Sequence, residues 1–312
     1  MNQNRRIFLK NAVLTGSAFL VADKTGMPQV MAQTVRPVRQ VDVFVNQYTV
    51  STFYEREGIN FTENQNRCLA ELKEAGFAGI ELFIGRPEEV EAYAVALKKH
   101  DLLLRSIYIS ANLHDEAVDS AEIKRVIAVA EKAKPAGTQV IVLNPQAKSG
   151  KSDAELDRQN QNLNVLGASL RQLGMLFAIH YHITELEFAA REFHSFMTET
   201  NPDYVSLCYD THWSFRASGH SAVSAYSHAK LYAGRIAELH LRQSKNGVWT
   251  ETFVGQGDID YRKTIAILRK SKGFNACHVV LEQAPEKGTP QTLKPIDIFK
   301  KSILEVKKLF VE

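Results

Sequence analysis

From about residue 41 onward, the sequence alternates short apolar runs with segments of helical period, eight times over. The runs are rich in β-branched residues and are short enough to be buried parallel strands. They cover 41–45, 78–83, 102–109, 139–143, 175–179, 205–209, 236–241 and 277–281. The helical segments cover 62–75, 87–100, 119–134, 153–173, 185–200, 220–233, 260–271 and 295–310. Every connection is long enough for a crossover, which predicts that all strands run parallel.

Eight strands, each followed by a helix, are typical of an α/β fold of the (β/α)₈ TIM-barrel type. A doubly wound open sheet also alternates, but it usually has fewer strands and a glycine-rich first turn. Residues 46–50, which follow the first strand, contain no glycine. The pattern therefore predicts a single barrel domain over 33–312, after an N-terminal segment of a different kind.

The first 32 residues resemble a twin-arginine export signal. Arg5 and Arg6 stand in the stretch Asn-Arg-Arg-Ile-Phe-Leu-Lys, and the apolar core at 12–22 is only 11 residues long. A membrane span needs about 20 residues, so this segment predicts no stable membrane insertion. Small residues at 30 and 32 predict cleavage before Gln33. By this resemblance the protein is exported, already folded, to the periplasm.

The net charge of +3 comes from the N-terminal segment. The first 32 residues carry four of the 38 basic residues but one of the 35 acidic residues, so charges balance over the rest of the chain. A balanced chain has no electrostatic footprint for nucleic acid or an anionic membrane. The sequence therefore predicts no nucleic-acid partner and favours a small molecule.

Polar residues stand at the carboxyl ends of the predicted strands, where TIM barrels place their chemistry. They are Asn46, Gln47, Glu81, Tyr108, Asn144, His180, His182, Asp210, His212, His240, Arg242 and Glu282. Any one of these alone would more often be a capping or surface residue. Titratable groups after four successive strands instead indicate a site.

Two imidazoles and two carboxylates, from His180, Asp210, His240 and Glu282, form a mixed nitrogen and oxygen set. Such a set suits one divalent ion, Mn²⁺, Co²⁺, Zn²⁺ or Fe²⁺, rather than Ca²⁺. His180 and His182 are two residues apart on one strand and share a face, so only one of them needs to be a ligand. The pattern leaves open which one it is.

Several blocks of the chain together resemble the xylose-isomerase-like TIM-barrel superfamily, in particular its sugar phosphate isomerase/epimerase branch. They are 177–182 with Glu185, 209–213, 238–242 and 279–283, and the block Phe-Val-Gly-Gln-Gly-Asp-Ile-Asp at 253–260. The resemblance implies a metal held by His180, Asp210, His240 and Glu282. Many members carry glutamate at the position of His180, where it is also one of two proton-transferring carboxylates. The chain also has Arg242 where a lysine is common, which offers a planar fork for bidentate contact.

A divalent ion beside such groups acidifies a C–H bond next to a carbonyl, so that a base can remove the proton. Among the base candidates Glu282, His182 and Glu185, we expect His182 to transfer the proton, since an imidazole titrates near pH ~6.5. We expect Arg242 to steady the developing oxyanion. For contact with a sugar we expect Tyr48, Glu81, Trp213 and Trp249, although the aromatic residues, together with Phe53, Tyr54 and Phe215 in the same predicted loops, fit ordinary loop packing equally well.

Sugar phosphates are cytoplasmic, so an exported member should act on a non-phosphorylated sugar or keto-sugar. We expect a metal-dependent isomerase or epimerase, with a periplasmic 3-keto-glycoside lyase or hydrolase, working by β-elimination at the anomeric carbon, as the first alternative. A non-catalytic periplasmic sugar-binding protein is the alternative from another class. It would keep the aromatic residues and would not need four metal ligands.

Overall fold

The computed structural model describes residues 20–22, 28–30, 41–271, 274 and 277–311. The chain divides into two compact units, Met1–Arg39 and Gln40–Glu312. In the first unit, two three-residue strands, Leu20–Ala22 and Pro28–Val30, pair antiparallel. The rest of the expected export signal lies outside the described residues. No described helix is both long enough and apolar enough to cross a membrane.

In the second unit, eight parallel strands close into a barrel in chain order. They are β1 Val43–Asn46, β2 Gly79–Phe83, β3 Ser106–Ala111, β4 Val140–Pro145, β5 Leu176–Ile179, β6 Ser206–Asp210, β7 Ile236–Leu241 and β8 His278–Leu281. Each lies within two residues of a predicted strand at both ends, except that β3 begins four residues late. The predicted (β/α)₈ barrel is therefore confirmed.

Ten α-helices are found among the described residues of this unit. They are α1 Gln47–Glu55, α2 Gln65–Ala75, α3 Glu89–Lys99, α4 Asp119–Ala133, α5 Asp153–Gln172, α6 Glu187–Glu199, α7 Thr211–Ala217, α8 Ala222–Tyr232, α9 Tyr261–Leu268 and α10 Pro295–Val311. Eight of them match the predicted helical segments. Short 3₁₀ turns at Lys134–Ala136, Thr184–Leu186 and Ala233–Arg235 flank α4, α6 and α8.

Two helices, α1 and α7, occupy positions that we predicted to be loops, and that prediction was wrong. Both begin directly at the end of a strand, and a strand-end side chain caps each one: Asn46 accepts a hydrogen bond from the Tyr48 amide, and Asp210 accepts from two amides of α7. A side-chain acceptor at this position satisfies the free amides of the first turn. Tyr48, Phe53 and Tyr54 are therefore helical, as are Trp213 and Phe215. Of these, Phe53, Tyr54 and Phe215 are buried packing residues.

A β-bulge sets the register between β6 and β7. Leu207 pairs with Ile236, but the next residue, Cys208, pairs with Glu238, so Ala237 is the extra residue. A bulge of this kind re-aims the side chains that follow it. It brings Asp210 opposite His240 at the carboxyl end of the barrel.

The side chains inside the barrel change from apolar to polar toward the carboxyl ends of the strands. Its apolar part is a small cluster of Val140, Val142, Ala178 and Cys208, separate from the large core between strands and helices. Side chains alternate along a strand, so the next inward residue after Ala178 is His180, and the next after Cys208 is Asp210. The polar site therefore rests directly on an apolar floor. The strands approach closely elsewhere: a Cβ on Gly79 would lie 2.0 Å from the Leu103 carbonyl oxygen.

Candidate active site

Three of the four expected metal ligands converge at the carboxyl end of the barrel. One ligand atom each from His180, Asp210 and Glu282 lie within 4.8 Å of one another. His180 and Asp210 are fully buried, and Glu282 is 5% exposed. His180 Nε2 and Asp210 Oδ2 have no hydrogen-bond partner. Buried polar atoms normally find a partner, so these two atoms mark a place where another group belongs.

His240, the fourth expected ligand, contacts this group through one ring nitrogen. Its Nδ1 lies 3.1 Å from Glu282 Oε2. Its Nε2 lies 3.1 Å from Glu238 Oε1 and 3.2 Å from Glu81 Oε2. Nδ1 therefore faces Glu282, while Nε2 faces two buried carboxylates.

The second nitrogen of His180 also has partners. Its Nδ1 lies 3.1 Å from the hydroxyl of Tyr108 and 3.5 Å from Asn144 Oδ1. These contacts occupy one side of the ring and leave Nε2 free toward Glu282, 3.9 Å away. Among His180 and His182, which the sequence could not separate, His180 has the geometry of a ligand.

Burial and neighbouring charges raise the pKa of some groups in this cluster and lower the pKa of others. Burial, with His182 and His240 nearby, lowers the pKa of His180 well below its ordinary value. Burial raises the pKa of Asp210 to about 7. Burial alone would raise the pKa of Glu282, but Arg242 and His240 hold it well below the ordinary value. A neutral imidazole beside an ionised carboxylate is the state in which both can bind a metal.

Arg242 is fully buried beside Glu282. Its Nη2 lies 3.0 Å from Glu282 Oε1, and its Nε donates to the Glu282 carbonyl oxygen at 2.9 Å. The guanidinium carbon lies 4.2 Å from the ring centre of Trp249 and 5.2 Å from that of Trp213. Nη1 has no partner. Two tryptophans and one carboxylate thus hold the guanidinium with one donor unused.

His182 lies at the edge of this cluster and is half-buried. Its ring centre is 4.8 Å from that of His180 and 5.1 Å from that of Trp213. Its backbone amide donates to Glu185 Oε2 at 2.7 Å. Burial lowers the pKa of His182 to about 4, below the ordinary value of ~6.5 for which we expected it to be the base. The imidazole is therefore neutral at pH 7 and free to accept a proton, but it is a weaker base than an ordinary histidine.

The four residues expected to contact a sugar lie in two different places. Trp213 and Trp249 flank Arg242, with ring centres 6.1 Å apart, and Tyr48 is exposed on α1. Glu81 is instead fully buried against His240 Nε2 and accepts a hydrogen bond from Asn46 Nδ2 at 2.5 Å. This is a position behind the metal-ligand candidates, whereas we predicted one that faces the substrate.

Sequence reasoning missed one residue of the cluster, Glu238. It is fully buried and lies two residues before His240 on β7. The signal was present, because residues two apart on a strand share a face. We read only the residues at the strand ends, and Glu238 lies one step deeper.

His212, another strand-end residue, makes a contact that the sequence did not indicate. Its Nε2 lies 3.0 Å from Ser244 Oγ, and Ser244 donates to Asp258 Oδ2 at 2.7 Å. Asp258 also accepts from the amides of Asn246 and Gly247, in the turn of a short hairpin formed by Ser244–Lys245 and Val248–Trp249. These bonds fix the hairpin that carries Trp249.

The arrangement fits a divalent ion. His180 Nε2 and Asp210 Oδ2 are buried and unpartnered, and Glu282 and His240 Nδ1 complete a set of two nitrogens and two carboxylates. That donor set suits a borderline transition metal.

A closed (β/α)₈ barrel with a polar cluster at the carboxyl ends of its strands is the architecture of a TIM-barrel enzyme family. The chain matches the model of the xylose isomerase-like TIM barrel family over residues 69–303. The protein belongs to this family. The resemblance to the xylose-isomerase-like superfamily, drawn from the sequence motifs, is thereby confirmed at the level of the family.

Relatives of known name are found by sequence and by structure. Inosose dehydratase from Clostridium perfringens is 26% identical over 258 residues, which cover 72% of this chain and 84% of the relative. A sugar phosphate isomerase/epimerase from Parabacteroides distasonis superposes with a TM-score of 0.66 at 14% identity, covering 91% of this chain and 98% of the other. The 3-keto-D-glucoside 4-epimerase from E. coli gives 0.63 at 14% identity, covering 86% and 99%.

A further solved structure contains a metal. It is a xylose isomerase-like TIM barrel protein from Mycobacterium smegmatis in complex with magnesium, with a TM-score of 0.64 at 11% identity, covering 87% of this chain and 96% of the other. At such identities the three structural matches establish the fold alone.

Proposed function

We propose that this protein is a metal-dependent enzyme that removes a proton from the carbon next to the carbonyl of a non-phosphorylated sugar or keto-sugar. The observation that carries the proposal is the convergence of His180, Asp210 and Glu282, with His240 Nδ1 in contact with Glu282 and with buried unpartnered ligand atoms, beside a neutral imidazole and a free guanidinium donor. The named relatives support the class, since they are an inosose dehydratase, a sugar phosphate isomerase/epimerase and a 3-keto-D-glucoside 4-epimerase.

In this proposal His180, Asp210, His240 and Glu282 hold one divalent ion. When bound, the ion polarises a carbonyl or hydroxyl oxygen and so acidifies the neighbouring C–H bond. The structural neighbour with magnesium supports a divalent ion, and the nitrogen-rich donor set favours Mn²⁺, Co²⁺, Zn²⁺ or Fe²⁺.

Two side chains of the protein take up the substrate proton and stabilise the negative charge that develops on the substrate oxygen. His182 accepts the proton, because it is neutral at pH 7 and half-buried next to the ligand cluster. Arg242 Nη1 donates a hydrogen bond to the oxygen on which negative charge develops, as preorganised donors do in other enzymes. Glu185 positions His182 through its backbone amide.

The walls of the site favour a neutral substrate. Trp213 and Trp249 offer rings for the apolar face of a sugar, and Tyr48 lies on α1, whose first residues follow β1. The charge of Arg242 is already paired with Glu282, so it is committed within the protein rather than available to a phosphate.

After proton removal we rank return of the proton, as isomerisation or epimerisation, first. β-Elimination is the second candidate, and a specific finding favours it: the relative found by sequence is a dehydratase. The replacement of a glutamate by His180 also removes one of the two carboxylates that a symmetrical epimerisation uses.

We also propose that the enzyme works in the periplasm after export by its twin-arginine segment. Arg5 and Arg6, the short apolar core and the small residues before Gln33 support this. Export in the folded state suits a protein that takes up its metal before it leaves the cytoplasm.

One experiment tests the reaction. The protein is stripped with chelator, reloaded with Mn²⁺, Co²⁺, Zn²⁺ or Fe²⁺, and incubated in D₂O with keto-sugars and 3-keto-glycosides while proton NMR is recorded. We expect the signal of the proton on the carbon next to the carbonyl to disappear only with the reloaded protein. A deuterated epimer or isomer identifies proton return, and an unsaturated product identifies elimination. Sugar binding without exchange in any metal form would contradict the proposal and indicate a binding protein.

A further inference from the structure

Two fully buried glutamates lie on the Nε2 side of His240. Glu238 comes from the same strand, β7, and Glu81 comes from β2, three strands away around the barrel. His240 Nε2 is 3.1 Å from Glu238 Oε1 and 3.2 Å from Glu81 Oε2. Both glutamates and the histidine are 0% exposed, so water does not compete for these contacts.

The other neighbours of these carboxylates are hydrogen-bond donors. The Asn46 amide nitrogen donates to Glu81 Oε2 at 2.5 Å. The Cys208 thiol donates to Glu238 Oε1 at 3.7 Å. The two oxygens that face His240 thus already accept from other donors, and a hydrogen on Nε2 of the imidazole fits the same geometry.

A histidine that binds a metal is neutral and carries one hydrogen, so with a metal bound a hydrogen fixed at Nε2 leaves the Nδ1 lone pair for the metal. Nδ1 is the nitrogen that faces Glu282. A partner on the far nitrogen commonly fixes the tautomer and the ring orientation of a histidine ligand.

We propose that Glu238, supported by Glu81, is a positioning residue that holds His240 in the Nε2–H form and aims its Nδ1 at the metal. This inference rests on the proposed metal site, and it assigns to Glu81 a role different from substrate contact. Asn46 extends the arrangement to the substrate side, because its Oδ1 caps α1 while its amide nitrogen holds Glu81.

The test compares metal affinity and histidine tautomer in matched variants. Cobalt binding to chelated protein is measured by competition with a chromophoric chelator, in the parent, Glu238→Ala, Glu238→Gln and Glu81→Gln. Glu131, which is exposed on α4, provides the control Glu131→Ala. In parallel, zinc-loaded protein labelled with ¹⁵N-histidine reports which nitrogen of His240 bears hydrogen.

We expect one ion per chain in the parent. Glu238→Ala should bind it about 10- to 100-fold more weakly, as loss of an outer-shell partner commonly does. Glu238→Gln keeps an oxygen acceptor and should recover most of the affinity, while Glu131→Ala should match the parent. The ¹⁵N spectra should show Nε2–H and metal-bound Nδ1 for His240. If Glu238→Ala does not fold, Glu81→Gln and the parent spectrum still decide.

Three results would overturn the inference. In the first, the parent and Glu238→Ala bind one ion equally tightly. In the second, the parent spectrum shows the metal on Nε2 of His240. In the third, the parent binds two ions and the glutamate variants lose one, which would make the glutamates ligands of a second site. A parent that binds no ion at all would instead refute the proposed function itself.

Discussion

Replacing Arg242 by alanine should destabilise the metal-free barrel strongly at neutral pH and much less in acid. The guanidinium makes two bonds to Glu282 and is 1% exposed. Removing it leaves a buried carboxylate without its main partner. Breaking a buried ion pair from one side commonly costs about 3–5 kcal/mol. At roughly 2–4 °C per kcal/mol for a domain of this size, Tm should fall by about 6–20 °C.

The pH dependence follows from the direction of the Glu282 shift. Arg242 and His240 hold the pKa of Glu282 well below its ordinary value, although burial opposes this. A lowered acid pKa contributes stability above the unfolded pKa of ~4.3, and this contribution is lost as pH falls through the folded value. The Tm difference between parent and variant should therefore have its full size above about pH 5 and should become smaller as the pH falls to 4 and below.

The assay is thermal unfolding followed by circular dichroism, in chelator, from about pH 2.5 to pH 8. Arg216→Ala is the matched control, since Arg216 also lies over Trp249, at 4.7 Å, and pairs with Glu286. That pair is partly exposed, with side chains 17% and 25% accessible, so its loss should cost about 1 kcal/mol or less. An Arg242→Ala protein no less stable than Arg216→Ala, or a Tm difference that does not change with pH, would refute the reasoning.

Three further predictions concern the ion, the base and export. Asp210→Ala and His240→Ala should each lose the ion and the activity while keeping the circular dichroism of a folded barrel; full metal occupancy in both would rule out the ligand assignment. His182→Ala should keep the ion but lose about 10²-fold or more in turnover, with a matching loss of solvent-deuterium exchange, because a positioned base is missing. Unchanged exchange would show that His182 is not the base, and Glu282 and Glu185 would then be tested. Changing both residues of the arginine pair at positions 5 and 6 to lysine should hold the precursor in the cytoplasm, as cell fractionation would show, and an unaltered periplasmic yield would contradict the export proposal.

The barrel was predictable because its signal is periodic and long-range. Each strand run is short and mostly apolar, and each predicted helix spans at least eight residues in the structure, so strands and helices are easy to tell apart. The ligand candidates followed from the same pattern, because the carboxyl ends of the strands meet at one end of a barrel. Asp210, His240 and Glu282 were identified in this way.

Short elements and depth along the barrel axis were not predictable in the same way. Helix α1 has the sequence Gln-Tyr-Thr-Val-Ser-Thr-Phe-Tyr-Glu, whose β-branched and aromatic residues have modest helix propensity, and its Asn46 cap and tertiary packing decide the outcome. The bulge at Ala237 has no local sequence signal, yet it sets Asp210 opposite His240. The depth of Glu81, beneath His240 rather than at the rim, also depends on how β2 is placed relative to β7.

The most direct test of the metal-dependent active site is anomalous diffraction at the absorption edge of the ion that restores activity. We expect a single peak per chain, bounded by His180 Nε2, Asp210 Oδ2, His240 Nδ1 and the Glu282 carboxylate. We also expect a bound keto-sugar to lie between that peak, His182 and Arg242. A peak at another cluster, or a sugar bound in a crystal of active protein with no peak at these four residues, would contradict it.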